Sequence, residues 1–184
     1  MYNNIEIIAE VKTLSPFGWQ SEYSWDELFE VADKVGDMIS VHTDSRWGGS
    51  FELIKKARQR TKKPILAKGI HTSDEDIVKA IEAGADYVLV VGRIPGVHQD
   101  KCIIEPLTLL ELKNIPESYK VVWNTRNLKN GFPKEETFEE ARKLRKGWLC
   151  QASNIKNIND IKKGADAVLI GTHLVEFSKS LNVK

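Results

Sequence analysis

Glu10 and Lys12 sit two positions apart at the end of an apolar run that starts at Ile5. In an extended strand side chains alternate faces, so both point the same way. A carboxylate and an ammonium at the end of a buried strand are costly to desolvate, and each lowers that cost by keeping the other charged. Facing a pocket, the pair could move protons; on an edge strand it would be a surface ion pair of little weight. The segment alone leaves both readings open. Other apolar runs end in comparable residues: Lys68, Glu105, Asn124 with Arg126, Gln151 with Ser153, and Gly171-Thr172. Solvated charges belong on helices, so charged groups at successive strand ends are more than a structural sheet needs. A lysine crowded by other cations, or partly desolvated, moves toward neutral pH and becomes a useful acid.

Eight apolar, β-branched runs would have to position these groups: Ile5–Val11, Met38–Val41, Pro64–Ala67, Tyr87–Val91, Cys102–Ile104, Tyr119–Trp123, Trp148–Gln151 and Ala167–Ile170. Helices are expected between them over Trp25–Val35, Phe51–Arg60, Ser73–Ala83, Leu107–Lys113, Glu135–Arg145 and Ile158–Lys163. In the first, Leu28, Phe29, Ala32 and Val35 share one face. Ser24 and Ser73 are placed as N-caps ahead of acidic first turns. Gly36, Gly84 and Gly164 stand just past helix ends, where a left-handed residue is wanted. Apolar strands separated by helices make a parallel sheet covered on both faces, and eight such units in a row close into an α/β barrel, (β/α)8. Gly84-Ala85-Asp86 and Gly164-Ala165-Asp166 echo each other before the fourth and eighth strands, half a barrel apart. Residues 92–101 hold Gly92, Pro95 and Gly96 and fit no helix, so the outer ring is expected to lack the helix between strands 4 and 5. The outer faces of those strands, near Ile94, Pro95 and Val97, would be left in water. Either another subunit, making a homo-oligomer through the strand 4–5 side, or a repositioned element would cover them.

The composition is that of a soluble protein: 184 residues, 41% hydrophobic, 29% charged, with 27 basic against 26 acidic side chains. This length suits one barrel domain over 1–184, a minimised one for its class. A net charge of +1 asks for neither nucleic acid nor an anionic membrane as partner. No apolar run approaches a membrane span, and Met1-Tyr2-Asn3-Asn4 shows no signal-type core, so a cytoplasmic location is expected. Cys102 and Cys150 lie in apolar runs, as buried thiols do. His42, His71, His98 and His173 lack ligand spacing, so no metal is expected and each is read as a surface or turn residue. Nucleotide-binding glycine fingerprints are absent.

The strand-end residues also carry a family likeness. Ile8-Ala9-Glu10-Val11-Lys12, then Ser15-Pro16, resembles the first strand of the indole-3-glycerol-phosphate synthase family. Thr43-Asp44 with Trp47-Gly48-Gly49-Ser50 resembles the segment after its second, and Pro64-Ile65-Leu66-Ala67-Lys68 resembles its third. Ile104-Glu105, Asn124-Thr125-Arg126-Asn127-Leu128 and Ala167-Val168-Leu169-Ile170-Gly171-Thr172 are similar to its fifth, sixth and eighth. The resemblance implies a TIM-barrel lyase of tryptophan biosynthesis that needs no cofactor. Such an enzyme closes an indole ring on 1-(2-carboxyphenylamino)-1-deoxyribulose 5-phosphate, losing carbon dioxide and water.

By the same resemblance, Lys68 would be the general acid at the ketose carbonyl and Glu105 the base in dehydration. Lys12 would hold the substrate carboxylate and donate a proton, with Glu10 orienting it and Asn124 holding a hydroxyl or ring edge. Ser15 would contact the small phosphorylated substrate. Ser153, Asn154, Gly171 and Thr172 fit a phosphate site over strands seven and eight, with Arg126 adding charge. Trp47 is either a stacking wall for an aromatic substrate or an aromatic cap over the barrel. The sequence departs from the family pattern in four places. Its first strand is expected almost at residue 4, where the family carries an extension ahead of it, Gly69 replaces an aspartate, and Ala152 replaces a glutamate for which Gln151 could compensate. The fourth is Asn154, in place of a glycine. A related lyase or isomerase on another phosphorylated sugar or aryl-amino sugar, with Gly69 and Ala152 enlarging or reshaping the pocket, and a non-catalytic phosphometabolite-binding barrel are the alternative readings.

Overall fold

A computed structural model describes residues 5–181. Residues 1–4, on which the reading of a missing signal-type core falls, and 182–184 lie outside that range. Eight strands are formed: β1 (Glu6–Val11), β2 (Met38–His42), β3 (Ile65–Lys68), β4 (Tyr87–Val91), β5 (Cys102–Glu105), β6 (Lys120–Asn124), β7 (Leu149–Ala152) and β8 (Ala167–Ile170). They pair in parallel in chain order, and β8 returns to β1 to close the barrel. Around them lie α1 (Trp25–Val35), α2 (Phe51–Arg60), α3 (Asp74–Glu82), α4 (Leu109–Lys113), α5 (Phe138–Leu144) and α6 (Leu174–Leu181). Among the described residues no helix is long and apolar enough to cross a membrane.

The two-residue period of each strand sorts its side chains. Ile8, Met38, Leu66, Leu89, Ile103 and Val122 pack inside the barrel, while Ala9, Ile39, Ile65, Val88, Ile104 and Val121 pack outward against the helices. The end away from the strand carboxyl termini is plugged by the Lys120 ammonium, which lies 5.2 Å from the Tyr87 ring centroid and 5.0 Å from that of Trp148.

The repeated Gly-Ala-Asp turn is one clamp used twice. Asp86 Oδ2 accepts from Ile65 N (2.8 Å) and Arg58 Nη1 (2.9 Å). Asp166 Oδ2 accepts from Leu149 N (2.8 Å) and Arg142 Nη1 (2.9 Å). Each aspartate thus ties its strand to the preceding one and to an arginine on the helix before that. Ser24 and Ser73 form capping boxes with Glu27 and Asp76, as their positions predict. Gly84 and Gly164 have positive φ, but Gly36 is extended (φ −81°). Its requirement is space: a Cβ there would lie 2.8 Å from Ala9 Cβ, so Gly36 lets α1 end tight against β1.

Three expectations are corrected. The helix over Ile158–Lys163 is a single 3-10 turn, Ile158–Asp160. Asp160 Oδ2 caps Lys156 N and Asn157 N, and Gln151 Oε1 takes Lys162 N, which leaves too short a stretch to propagate. A final helix, α6, follows β8 where none was expected. Between β4 and β5 there is no α-helix, as expected, but the outer faces of the strands are not left in water. Val88, Val90, Cys102 and Ile104 are buried. Residues 92–101 fold back over that side: Arg93 Nη1 pairs with Asp74 Oδ1 (2.7 Å), and Gly96 N donates to Asp74 Oδ2 (3.0 Å). Pro95 is buried and Val97 packs on the outward core, while Ile94 stays 43% exposed.

Candidate active site at the carboxyl ends of the strands

The inward positions that end β1, β2, β3, β5 and β6 are Glu10, His42, Lys68, Glu105 and Asn124; Lys12, one residue past β1, follows the same alternation. They line one cavity, open to solvent, whose floor includes Leu89 and Leu169. Glu10 is its hub. Glu10 Oε1 lies 2.7 Å from His42 Nε2 and 3.0 Å from Lys68 Nζ, and Oε2 lies 3.9 Å from Lys12 Nζ. Both Oε1 approaches are off-axis, so the oxygen sits between two nitrogens without a well-aligned hydrogen bond. Gly171 makes this possible, because a Cβ there would overlap Glu10 Oε2.

On the other side Asn124 Nδ2 donates to Glu105 Oε1 at 2.9 Å, and Asn124 Oδ1 accepts from Ser153 Oγ at 2.7 Å. Lys12 Nζ donates to Thr172 Oγ1 at 2.8 Å. Glu10 and Lys12 are therefore a buried pocket pair and not a surface pair on an edge strand: Glu10 is 3% exposed and Lys12 7%.

These contacts separate the protonation behaviour of the groups. Burial acts to raise the Glu10 carboxyl, but Lys68, Lys12 and His42 overcome it and hold it well below the carboxylate range. Burial, and then Lys68 and Arg126 against the pull of Glu10, bring Lys12 down to about 8. Lys68 is also buried, yet Glu10 and Glu105 hold it above its ordinary value. Glu105 is raised by burial, which Lys68 and Asn124 only partly oppose. Burial and the Lys68 charge push His42 down to about 4, so it is neutral at pH 7. The lysine tuned toward neutrality is Lys12, whereas Lys68 stays a fixed positive charge.

Trp47 stands in the cavity wall, its ring parallel to His42 (1° between planes, centroids 5.5 Å apart) and edge-on to Phe17. Ser153, Asn154, Gly171, Thr172 and Arg126 line the same cavity. Ser153 and Asn154 are consecutive left-handed residues (φ 72° and 58°), a backbone shape suited to a concave turn. Two expected residues stay out. Ser15 lies in the loop after β1, where its hydroxyl accepts from Phe17 N (3.3 Å) and closes a turn. Gln151 points away from the barrel axis to Asp160 O (3.0 Å) and cannot replace a side chain at Ala152.

Gly69 does not open the pocket either, since its missing side chain's space is taken by Thr43 and His71. His42 and His71 are buried, not surface residues. The alternation Met38, Ser40, His42 was the signal that places His42 inside. Among the described residues no cluster of three or more histidine, cysteine or acidic side chains is arranged to hold a metal.

A family model described as indole-3-glycerol phosphate synthase matches residues 2–105, a span that carries Glu10, Lys12, Lys68 and Glu105. The chain belongs to this family. It is 30% identical over 195 residues to the indole-3-glycerol phosphate synthase of Sulfurisphaera tokodaii, covering 92% of this chain and 78% of that one. It is 30% identical over 197 residues to that of Pyrococcus abyssi, covering 92% and 85%. The indole-3-glycerol phosphate synthase family is one of lyases, and its membership agrees with the closed barrel. A 3-hexulose-6-phosphate synthase structure superposes with a TM-score of 0.67, covering 96% of this chain and 99% of that one; at 16% identity it speaks for the fold alone.

Proposed function

We propose that this chain catalyses indole ring closure on 1-(2-carboxyphenylamino)-1-deoxyribulose 5-phosphate. The observation that carries the reading is the convergence of two lysines and two glutamates on one strand-end cavity, with their protonation tendencies pushed apart. The ring carbon bearing the carboxylate attacks the ketose carbonyl, whose oxygen takes a proton. Carbon dioxide then leaves, the hydroxyl departs as water, and a base removes the remaining proton to complete the indole.

Lys12 and Lys68 flank the carbonyl and substrate carboxylate. With its value near 8, Lys12 is the proton donor, while Lys68, the general acid by family likeness, holds its proton here and stabilises developing negative charge. Glu105, oriented by Asn124, serves as the base, and Glu10 holds both lysines. Trp47 and Phe17 wall the aromatic end. Ser153, Asn154, Gly171, Thr172 and Arg126 surround the phosphate. Indole formation from this substrate, followed by fluorescence, tests the reading: wild type is expected to turn over, and Lys68→Ala to lose at least about 100-fold in kcat. Equal background rates in the two would end it. Phosphate binding without turnover would instead favour a non-catalytic phosphometabolite-binding barrel.

A further inference from the structure

His42 touches the hub of the site, yet the ring-closure chemistry assigns it nothing. It ends β2, is 4% exposed, and presents Nε2 to the Glu10 oxygen that also faces Lys68, whose Nζ lies 3.5 Å from the same imidazole nitrogen. A carboxylate only accepts and an ammonium only donates. The imidazole is neutral at pH 7, and of its two Nε2 contacts the off-axis one to Glu10 (2.7 Å) is far shorter than the one to Lys68 (3.5 Å), so the proton is assigned to Nε2, facing the carboxylate. Nδ1 is correspondingly bare, and it is buried without a hydrogen-bond partner. A bare buried nitrogen is a cost that a packing residue such as leucine would avoid. The ring also stacks on Trp47, tying the hub to the cavity wall.

We propose that His42 is a positioning residue, whose Nε2–H pins the Glu10 carboxylate with Oε1 shared with Lys68 and Oε2 held off Lys12, so that Lys12 remains a proton donor and does not close into a full salt bridge. The groups that face this arrangement are Glu10 and Lys12 from β1 and its end, Lys68 from β3, Glu105 from β5, Asp44 just past His42, and Arg126 beyond β6. Without His42, Glu10 is free to turn fully onto the two ammoniums, and the Lys12 proton is held more tightly. The proposal rests on the ring-closure reading for its catalytic meaning, but its geometry stands apart from it.

The test follows Lys12 by carbon-13 NMR of lysine-labelled protein, its signal assigned by loss in Lys12→Met. In His42→Leu the Lys12 midpoint is expected to rise by about one pH unit or more, and in His42→Gln, whose amide can donate to Glu10, to stay near that of wild type. In turnover, His42→Leu should lower kcat about tenfold or more with KM within about twofold. Nitrogen-15 spectra of wild type should show a neutral Nε2–H imidazole at pH 7. An unchanged Lys12 midpoint in His42→Leu overturns the proposal. So does an imidazolium or Nδ1–H form in wild type, a measurement that decides even if His42→Leu does not fold. A wild type that forms no indole sinks the ring-closure reading, while the titration and the tautomer still judge the positioning.

Discussion

Lys12 and Lys68 have the same side chain within reach of the same carboxylate, and their surroundings drive them apart. Lys68 has Glu10 at 3.0 Å and feels Glu105 as well, whereas Lys12 has Glu10 only at 3.9 Å and the positive charges of Lys68 and Arg126 nearby. An acid works only while protonated. With Lys12 as donor, kcat/KM for indole formation should fall as pH rises past about 8. With Lys68 as the sole donor the plateau would run beyond 10.5, since its value is held above that. The low-pH limb should lie above the ordinary carboxylate range, because Glu105 must lose its proton to act as a base and burial resists that loss.

The same residue carries a stability consequence. A lysine whose folded value is about 8, against 10.5 free, destabilises the fold below about pH 8, and that cost is relieved as pH climbs between the two values. Lys12→Met removes a charge that burial opposes, while Glu10 keeps Lys68 and His42. We expect a gain of about 1–2 kcal/mol at pH 7, a Tm rise of roughly 2–6 °C, together with loss of turnover. A drop in Tm by calorimetry would show that Glu10 depends on Lys12 more than on its other two partners.

At the scale of elements, the site depends on what β8 lacks. Gly171 follows the last residue of β8, and the Glu10 carboxylate from the neighbouring β1 occupies the volume a side chain would need. Gly171→Ala must displace that carboxylate from between Lys12, Lys68 and His42. It should cost about 1–3 kcal/mol of stability by overpacking and lower kcat/KM by about 100-fold or more, with the barrel still folded by circular dichroism. Near-wild-type activity would mean that the position of Glu10 is not critical.

For the whole molecule, the barrel keeps all eight strands while two crossovers are reduced to loops with one 3-10 turn each, Gln99–Lys101 and Ile158–Asp160. Parallel neighbours need a right-handed crossover, not a particular helix, provided something apolar covers the strands. Val97 does that work between β4 and β5, with Cys102 Sγ 4.0 Å from its carbonyl. Val97→Asp should destabilise by about 2–3 kcal/mol, whereas Ile94→Asp should leave Tm unchanged within about 1 °C. Since the side is covered from within the chain, sedimentation should give a monomer of 20.9 kDa. A dimer that Ile94→Asp dissolves would restore an oligomer through the strand 4–5 side.

The sequence by itself determined the barrel. Strand periodicity, apolar content and cap residues are local properties, and every strand lies within one residue of its expected place. It also determined which end would carry Glu10, Lys12, Lys68, Glu105 and Asn124, because a strand's last inward position is fixed by alternation alone. What it could not decide depends on neighbours distant in the chain. His42 read as a surface or turn residue until β1 and β3 placed Glu10 and Lys68 against it. Gly69 read as added space until Thr43 and His71 filled it, and Gly36 as a left-handed cap until Ala9 showed the requirement to be close approach. Above all, two lysines that look alike in sequence differ because burial and the distances to Glu10, Glu105 and Arg126 set which one holds its proton loosely, and only the folded barrel fixes those distances.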